Sequence, residues 1–446
     1  MKKSLLTLGI LATLGSPAFA ATPSEDPHIA DLEARIKVLE ANAEAMRQQA
    51  DAALAALQAT KAEVEELKQG RNAGANEAAA PEPAAAPTGA NGNAFNPAMS
   101  VILDGQYSHH SLNPDDYVRS GFPLAGDAGP GVQGLSLGES EISLSASIDE
   151  KFSGQLTISA NSENGQDTFG VEEAFVDATA LPAGFTLRAG RFFSDIGYLN
   201  SHHAHTDKFS DRPLAYQAFL GGQYGDDGVQ VRWVAPTDLY MELGGEVFSG
   251  DRYPSGGGGH DGVGVTTLFA HAGGDIGVET SWLAGVSMLR SRTEGAEDGF
   301  TGDERLYVAD VTWKWAPQGN TKDGGFLVRS EYFVEDRDGQ YMDPGNQLPD
   351  QAWAGMRRGV YVEGIYRINR TWETGYRYDQ LWADDRGPFS SNYDPYRHSL
   401  MLTWRNSEFS LVRLQLSKDY PNPADVDTAV TLQIQTALGA HGAHKF

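Results

Sequence analysis

From about residue 97 onward, apolar and polar residues alternate along short segments of the chain. The segments EISLSASI at residues 141–148 and WETGYRYD at residues 372–379 follow this pattern, and their polar positions include charged groups as well as Ser. A period of two predicts β-strands with one apolar face. Segments of roughly ten residues with this alternation are typical of transmembrane β-barrels, although a soluble β-sandwich would alternate in the same way.

The alternating segments divide into sixteen predicted strands, whose connections are short and long in turn. The connections at residues 149–150, 236–237 and 406–407 are short, whereas those between them are longer and rich in Gly, Asp, Asn and Pro. An even number of strands with short turns at one end and long loops at the other is the arrangement of bacterial outer-membrane barrels. The predicted strands are residues 98–109, 132–148, 151–162, 169–181, 185–194, 228–235, 238–249, 263–274, 278–292, 305–316, 324–336, 356–368, 370–382, 396–405, 408–418 and 428–438.

Tryptophan provides a second test, because its side chain prefers the boundary between membrane and water. Six of the eight Trp lie within a few residues of a predicted short turn, which would place them on one rim: Trp233, Trp282, Trp313, Trp315, Trp372 and Trp404. In the core of a soluble β-sandwich, the Trp residues would not be concentrated near the short turns. The sequence therefore predicts an all-β, 16-stranded antiparallel transmembrane β-barrel over residues 96–446.

The beginning of the chain has the pattern of an export signal. Residues 1–20 (MKKSLLTLGILATLGSPAFA) combine two lysines, an apolar run and a small-x-small cleavage site. Charge, apolar run and small residues come in the order of a bacterial secretory signal peptide. We expect the mature chain to begin at Ala21.

Residues 21–69 have a different period. Apolar residues recur at a 3,4 spacing from Ile29 to Leu67, with charged residues and Gln between them. A period held at 3.5 predicts an α-helical coiled coil, which we expect to lie in the periplasm as a rod roughly 60 Å long. Residues 70–95, rich in Ala, Pro and Gly, form a predicted linker to the barrel.

Composition and charge exclude several functions. The absence of Cys excludes disulfides, thiol nucleophiles and Cys-ligated metals. The net charge of −26 argues against nucleic acid as a partner, because phosphates need Lys and Arg to neutralise them. No Gly-x-Ser-x-Gly elbow, P-loop or His-Glu-x-x-His motif is present, so we expect no enzymatic activity.

Acidic residues concentrate in the barrel region. Residues 1–20 carry +2 and residues 21–95 carry −6, which leaves −22 for residues 96–446. In the predicted outer loops these acidic residues would form a negatively charged rim of the barrel. This rim would attract cations, or it would hold the divalent ions that bridge lipopolysaccharide. The acidic residues placed in predicted outer loops are Asp115, Asp116, Asp226, Asp227, Glu294, Asp298, Asp303, Glu304, Asp336, Asp338, Asp384 and Asp385.

Two segments resemble a known family. The unit FTLRAGRFFSDIGYL at residues 185–199, with Gly190, Phe192, Gly197 and Leu199, resembles the strand and turn of the phosphate-selective (O/P-type) outer-membrane porin superfamily, as does EEAFVDATALP at residues 172–182. The coiled coil, together with the ending LGAHGAHKF at residues 438–446, resembles the proteobacterial branch labelled zinc-regulated outer-membrane proteins. The resemblance implies a sixteen-stranded, trimeric porin whose third long loop narrows the pore. Lysine is sparse here, unlike in the basic ladder of that family.

Histidines form three clusters of candidate metal ligands. Imidazole and carboxylate groups suit zinc, copper or nickel. We expect a weak, open site that releases its ion quickly, and we expect no required cofactor. The alternative is a solvated polar loop. The candidates are His202, His203, His205 and Asp207 in the third long loop, His109 and His110 in the first, and His441 and His444 in the tail.

Alternation also predicts which charged side chains line the pore. A basic stripe opposite an acidic one would orient solutes by a transverse field, unless these groups pair across neighbouring strands. The basic candidates are Arg188, Arg232, Arg329, Arg367, Arg377, Arg397, Arg405 and Arg413. The acidic candidates are Glu141, Glu173, Asp177, Glu242, Asp310, Glu363, Glu373 and Asp379.

Together these features predict an outer-membrane porin for passive diffusion of small solutes or ions, with zinc-linked uptake as a narrower form. Expected partners are outer-membrane lipid and lipopolysaccharide, two further copies in a homotrimer, and the cell wall through the coiled coil. One alternative is a structural tether between outer membrane and cell wall. Another is an energy-coupled metal receptor, which needs ~22 strands and a plug.

Overall fold

The computed structural model describes Lys37 and residues 97–163, 166–256, 262–293, 296–342, 350–389 and 392–439. The predicted signal peptide, coiled coil and linker lie outside the described residues, except for Lys37, which is helical. His441 and His444 also lie outside them.

In the described ranges, no helix has the length and apolar character needed to cross a lipid bilayer.

The described part of residues 97–439 is almost entirely antiparallel β-sheet. Seventeen strands follow one another along the chain; β1 pairs with both β2 and β3, and from β3 onward each strand pairs with the next one along the chain. They are β1 (Ala98–His110), β2 (Gly134–Leu137), β3 (Ser140–Ser147), β4 (Phe152–Glu163), β5 (Gln166–Ala178), β6 (Phe185–Phe193), β7 (Gly225–Val234), β8 (Tyr240–Phe248), β9 (Val265–Ile276), β10 (Thr280–Thr293), β11 (Phe300–Trp315), β12 (Gly325–Tyr341), β13 (Gln351–Arg367), β14 (Trp372–Ala383), β15 (Tyr396–Ser407), β16 (Ser410–Tyr420) and β17 (Asp427–Gly439).

The sheet closes on itself through its first and last strands. β1 pairs with β17 along one edge, from Ser100 opposite Gly439 to His110 opposite Ala429. Along its other edge β1 pairs with both β2 and β3, so these two short strands together occupy one position in the wall. The wall therefore has sixteen positions, and the prediction of a closed 16-stranded antiparallel barrel is confirmed.

The side chains are distributed in the opposite way to those of a soluble protein. In β14, the outward-facing Trp372 and Tyr376 are exposed, while the inward-facing Glu373, Arg377 and Asp379 are buried. A soluble sandwich would bury its apolar face, so this arrangement excludes the sandwich alternative. Further outward-facing apolar side chains are Leu103, Ile142, Val229, Leu268, Val286, Leu400, Leu416 and Ile434.

Several strands, among them β7, β11, β12 and β13, extend further toward the long loops than the sequence indicated, and several acidic residues thereby change place. Asp303 and Glu304 lie in β11, Asp336 and Asp338 in β12, and Asp226 with Asp227 in β7, so their assignment to loops was wrong. The reason is that β11, β12 and β13 continue beyond the apolar band, where both faces of a strand meet water or polar neighbours. There, outward Asp303 alternates with buried Glu304.

The connection between β6 and β7, residues 194–224, folds into the barrel; we call it the inner loop. It contains the helix α1 (Leu214–Leu220), all of whose residues are buried. Phe219 of α1 stacks on Phe333 of β12, with ring centroids 5.8 Å apart. From the first long loop, Phe122 packs edge-on against the same Phe219 at 6.0 Å. The resemblance implied an inward third loop, and the structure places it there.

We expect the outward face to be intolerant of charge at mid-strand positions. Leu400 of β15 is 54% exposed and lies between the outward Tyr376 and Leu416 of the adjacent strands. Leu400→Arg should lower the free energy of unfolding from lipid vesicles by about 2–4 kcal/mol, because lipid cannot solvate guanidinium. Val118→Arg is the control, since Val118 is 61% exposed in the first long loop. Equal effects of the two substitutions, measured by denaturant titration, would contradict a lipid-facing β15.

Candidate functional site

Glu331 of β12 fastens the start of the inner loop to the barrel wall. Its buried carboxylate accepts hydrogen bonds from the backbone N–H groups of Tyr198 (2.9 Å) and Leu199 (3.2 Å). It also accepts from the hydroxyls of Tyr216 (2.9 and 3.0 Å) and Tyr361 (2.6 Å). Hydrogen bonds to an ionised acceptor are the stronger kind, so this group holds both the turn and α1.

Asp211 fastens the middle of the inner loop. Its carboxylate lies 2.9 Å from Arg377 of β14 and 2.8 Å from Arg397 of β15, and Gln415 donates to it at 2.7 Å. Burial would raise the pKa of Asp211, but the two guanidinium groups outweigh it and lower that pKa to about 2. Asp379 adds a bond by accepting from the backbone N–H of Leu214 at 2.9 Å.

The predicted histidine cluster of the inner loop separates into two environments. His202 turns toward Tyr198, stacking on its ring and placing Nδ1 2.8 Å from its carbonyl oxygen. Asp207 pairs with Arg212 at 3.0 Å. Neither residue joins the other two histidines. His203 and His205 instead stack on each other, with ring centroids 5.6 Å apart, and face β3 and β5.

His203 and His205 meet glutamates of the wall. His205 Nδ1 lies 2.8 Å from Oε1 of Glu141. His203 Nδ1 lies 3.2 Å from Oε2 of Glu141 and 3.3 Å from Oε2 of Glu172, and His203 Nε2 lies 2.9 Å from Oε2 of Glu173. Burial would lower the pKa of His203, but its contacts with the three glutamates raise that pKa well above the ordinary value.

Two irregularities of the wall bring extra carboxylates to this cluster. In β5, Glu172 is an additional residue opposite the Thr157–Ile158 step of β4, so both Glu172 and Glu173 point inward. Between β2 and β3, residues 138–140 stand opposite only two residues of β1, and Glu139 lies there. Bulges of this kind re-aim side chains. The groups Glu139, Glu141 and Glu172 hold carboxylate oxygens within 4.8 Å of one another.

The other histidine candidates that the structure describes lie elsewhere. His110 Nδ1 is 2.8 Å from Asp427 of β17, and His109 Nδ1 is 3.2 Å from Gln133. Both contacts tie the outer end of β1 to its surroundings.

Sequence reasoning missed Glu139 and Glu172 as neighbours of the histidines, because strict alternation directs Glu172 outward once Glu173 is taken as inward.

Every pore-lining candidate lies on a strand with its side chain on the inner face. Four candidates, Arg232, Arg367, Arg405 and Asp177, are half-buried, and the remaining candidates are buried. Four pairs stand directly opposite each other in register, as the alternative of cross-strand pairing expected. They are Arg188 with Asp177 at 2.8 Å, Arg329 with Glu363 at 2.7 Å, Arg367 with Glu373 at 3.4 Å and Arg397 with Asp379 at 3.7 Å. Glu242 of the acidic candidates lies 3.7 Å from His271, and Asp310 lies on β11.

The inner loop lies between two vestibules. A cavity of about 820 Å³ opens toward the short turns and is lined by His205, Lys208, Arg329, Glu373 and Arg413 among others. A cavity of about 540 Å³ lies toward the long loops; its charged lining consists of Asp127, Glu139, Asp211 and Arg212. The loop itself hydrogen-bonds to the wall at β3, β5, β8, β10, β12, β14, β16 and β17.

Cations cluster at the loop on the short-turn side. Glu373 of β14 lies 3.1 Å from Lys208, 3.4 Å from Arg367 and 3.8 Å from Arg405, so one carboxylate faces three positive groups. Burial lowers the pKa of Lys208 to about 8; Glu373 opposes this change, and Arg405 and Arg367 add to it. The vestibule thus carries a positive charge near the loop that titrates close to neutral pH.

Comparisons with known proteins agree with this architecture. No family model matches the chain. A protein of Aquifex aeolicus (strain VF5), described as an uncharacterized protein, is 27% identical over 392 residues, which cover 79% of this chain and 80% of that protein.

Solved structures similar to this chain are outer-membrane porins. OprB of Pseudomonas putida matches with a TM-score of 0.51 and 11% identity over 77% of this chain and 94% of its own. The anion-selective porin of Comamonas acidovorans matches with 0.50 and 11% over 77% and 99%. OmpF of Salmonella typhi matches with 0.51 and 11% over 77% and 98%. The chain therefore has the fold of the outer-membrane porins.

We expect Glu331 to hold the inner loop in place. Glu331→Ala leaves its buried donors without an acceptor, which should lower the free energy of unfolding by about 1–3 kcal/mol. It should also speed tryptic cleavage after Lys208 of the folded protein, in the Lys208–Phe209 bond of the inner loop. Thr312→Ala is the control, because the Thr312 hydroxyl, buried on β11, has no hydrogen-bond partner among the described residues. Cleavage as slow as in the control would contradict this role.

Proposed function

We propose that the protein is a passive diffusion porin of the bacterial outer membrane, with small ions and small polar solutes as its cargo. The observation that carries this proposal is a barrel with an apolar exterior and a charged interior, divided by the inner loop into two vestibules. An anchor alone needs no charged, cavity-containing interior. The resemblance adds the expectation of a homotrimer, and the barrel's own exterior supplies the contact with lipid and lipopolysaccharide.

The inner loop determines what passes. It makes hydrogen bonds to strands on every side of the barrel, so the routes past it are narrow, and we expect small conductance. On the long-loop side, the charged lining is Asp127, Glu139, Asp211 and Arg212. Because Arg377 and Arg397 pair with Asp211, the carboxylates that favour entry of cations are those of Asp127 and Glu139. Metal ions are therefore one class of cargo, and zinc-linked uptake is the narrower form of the proposal.

The alternatives differ in what they require. An energy-coupled receptor of the outer membrane needs ~22 strands to surround a plug domain, and this wall has sixteen positions. A structural tether needs only a sealed barrel and the predicted rod. No observation on the barrel favours the tether, so it is kept as the outcome of a failed conductance test.

We expect purified, folded protein to form ion channels in planar bilayers. In a salt gradient the current should rise in steps of three, with a reversal potential that favours cations. Heat-modifiable migration on gels and a β-sheet circular-dichroism spectrum establish beforehand that the barrel is folded. A folded barrel without conductance would reject the porin and favour the tether.

We expect the selectivity to change with pH because of Lys208. Its pKa of about 8 means that Lys208 loses its positive charge between pH 7 and pH 9. The ratio of cation to anion permeability should therefore rise over this interval, and Lys208→Met should show the high-pH ratio already at pH 7. Lys322→Met is the matched control, since Lys322 is exposed at a short turn. A control that behaves like Lys208→Met would assign the effect to general surface charge.

A further inference from the structure

The strongest unassigned cluster lies where the inner loop meets β3 and β5. Glu139 lines the vestibule on the long-loop side and His205 lines the one on the short-turn side. The groups between them, His203, Glu141 and Glu172, consequently stand at the boundary of the two cavities.

Three buried atoms in this cluster point at one another without completing hydrogen bonds. Nδ1 of His203, Oε2 of Glu141 and Oε2 of Glu172 each lack a partner with hydrogen-bond geometry among the described residues. Glu141 is 1% exposed, so water does not supply the missing partner to it readily. Buried polar atoms left in this way are costly, and several that converge indicate a missing central group.

The missing group fits a divalent transition-metal ion. The separations of 3.2 and 3.3 Å between His203 Nδ1 and the two carboxylate oxygens are close to the edge of a tetrahedron with zinc–ligand bonds of about 2.0–2.1 Å, which is about 3.3 Å. His205 Nδ1 lies beside the other oxygen of Glu141. Ligand atoms of Glu141, His203 and His205 all lie within 4.8 Å of one another.

The surroundings orient His203 for this role. Its Nε2–H donates to Glu173 at 2.9 Å, so a metal ion that displaces the Nδ1 proton meets a lone pair directed toward Glu141 and Glu172. A carboxylate bound to the far nitrogen of a metal-binding histidine is a recurrent arrangement of metal sites. Gln155 in turn donates to Glu173 at 3.1 Å and holds that carboxylate.

We propose that Glu141, Glu172, His203 and His205 form a binding site for one divalent transition-metal ion of the zinc class, which pins the inner loop to β3 and β5. Two imidazoles with two carboxylates suit zinc, copper or nickel, and are a poor set for Mg²⁺ and Ca²⁺, which prefer oxygen ligands throughout. This set replaces the one predicted from sequence, because His202 and Asp207 have other partners. Binding stands independently of the proposed function; only the effect of the ion on conductance rests on it.

The test measures binding to the full-length protein in detergent after chelator treatment, with Zn²⁺ as the probe. Isothermal titration and elemental analysis give the number of zinc ions per chain and their affinities. We expect His203→Gln with His205→Gln to remove one zinc equivalent per chain relative to wild type. His202→Gln, a neighbouring histidine on the same loop, should retain it. Excess Mg²⁺ should not compete.

Glu173→Gln tests the positioning role separately. It keeps all four ligands and alters the group that orients His203, so zinc should bind about 10–100-fold more weakly without loss of the site. X-ray absorption spectroscopy of the wild type with one zinc equivalent should show two imidazole nitrogens and carboxylate oxygen. If the double variant does not fold, this spectrum of the wild type tests whether imidazole and carboxylate groups bind the zinc ion.

The outcomes separate the two proposals. Equal zinc stoichiometry in wild type and the double variant, or a spectrum without imidazole, would overturn the metal site. Micromolar Zn²⁺ should reduce the conductance of wild type and of His202→Gln, with no reduction in the double variant. Zinc binding with unchanged conductance would reject the pinning role alone. Zinc binding to a folded barrel that conducts nothing would reject the porin and leave the site standing.

Discussion

The pairing of β1 with β17 is the constraint on which the rest of the structure depends. Hydrocarbon offers no hydrogen bonds, so a sheet that spans it must leave no unpaired edge. Closure directs one face of each strand outward and the other into a confined interior. Within the apolar band the outward face must then be apolar, and the charged side chains at that level are directed inward, where they must find partners. The register pairs such as Arg188 with Asp177 satisfy this demand locally.

The inner loop provides partners for inward-facing charged groups of the wall. Its partners on the wall are charged groups that can form further hydrogen bonds and ion pairs in addition to those between neighbouring strands. They are Glu331 on one side and Arg377 with Arg397 on another. The turn at Gly197 shows how tightly it fits, since its φ is 66° and a Cβ there would collide with the carboxylate of Glu331. A loop held by buried charge cannot move without exposing that charge, which makes it a stable divider of the lumen.

Much of the fold follows from alternation alone, because side chains of a strand face opposite sides at each step. The limits of the prediction have physical causes. The acidic residues Asp303, Glu304, Asp336 and Asp338 were taken as loop because strands outside the bilayer lose their apolar face. Residues 172–173 could not be placed, since a bulge puts two consecutive side chains on one face and breaks the period of two. In the inner loop His202 contacts Tyr198, whereas His203 and His205 contact the wall. This division depends on packing, which the spacing of the histidines in the sequence does not encode.

The bulge at Glu172 connects these observations. A wall of regular strands would offer the inner loop one carboxylate at each level, enough for a hydrogen bond to an imidazole. The extra residue in β5, together with the break between β2 and β3, instead presents Glu139, Glu141 and Glu172 at one level. Carboxylates so close repel one another in a site of low dielectric, and either a proton on one of them or a neighbouring cation must offset that repulsion. The irregularities therefore make sense as a response to positive charge at the loop, carried by imidazolium or by a bound ion.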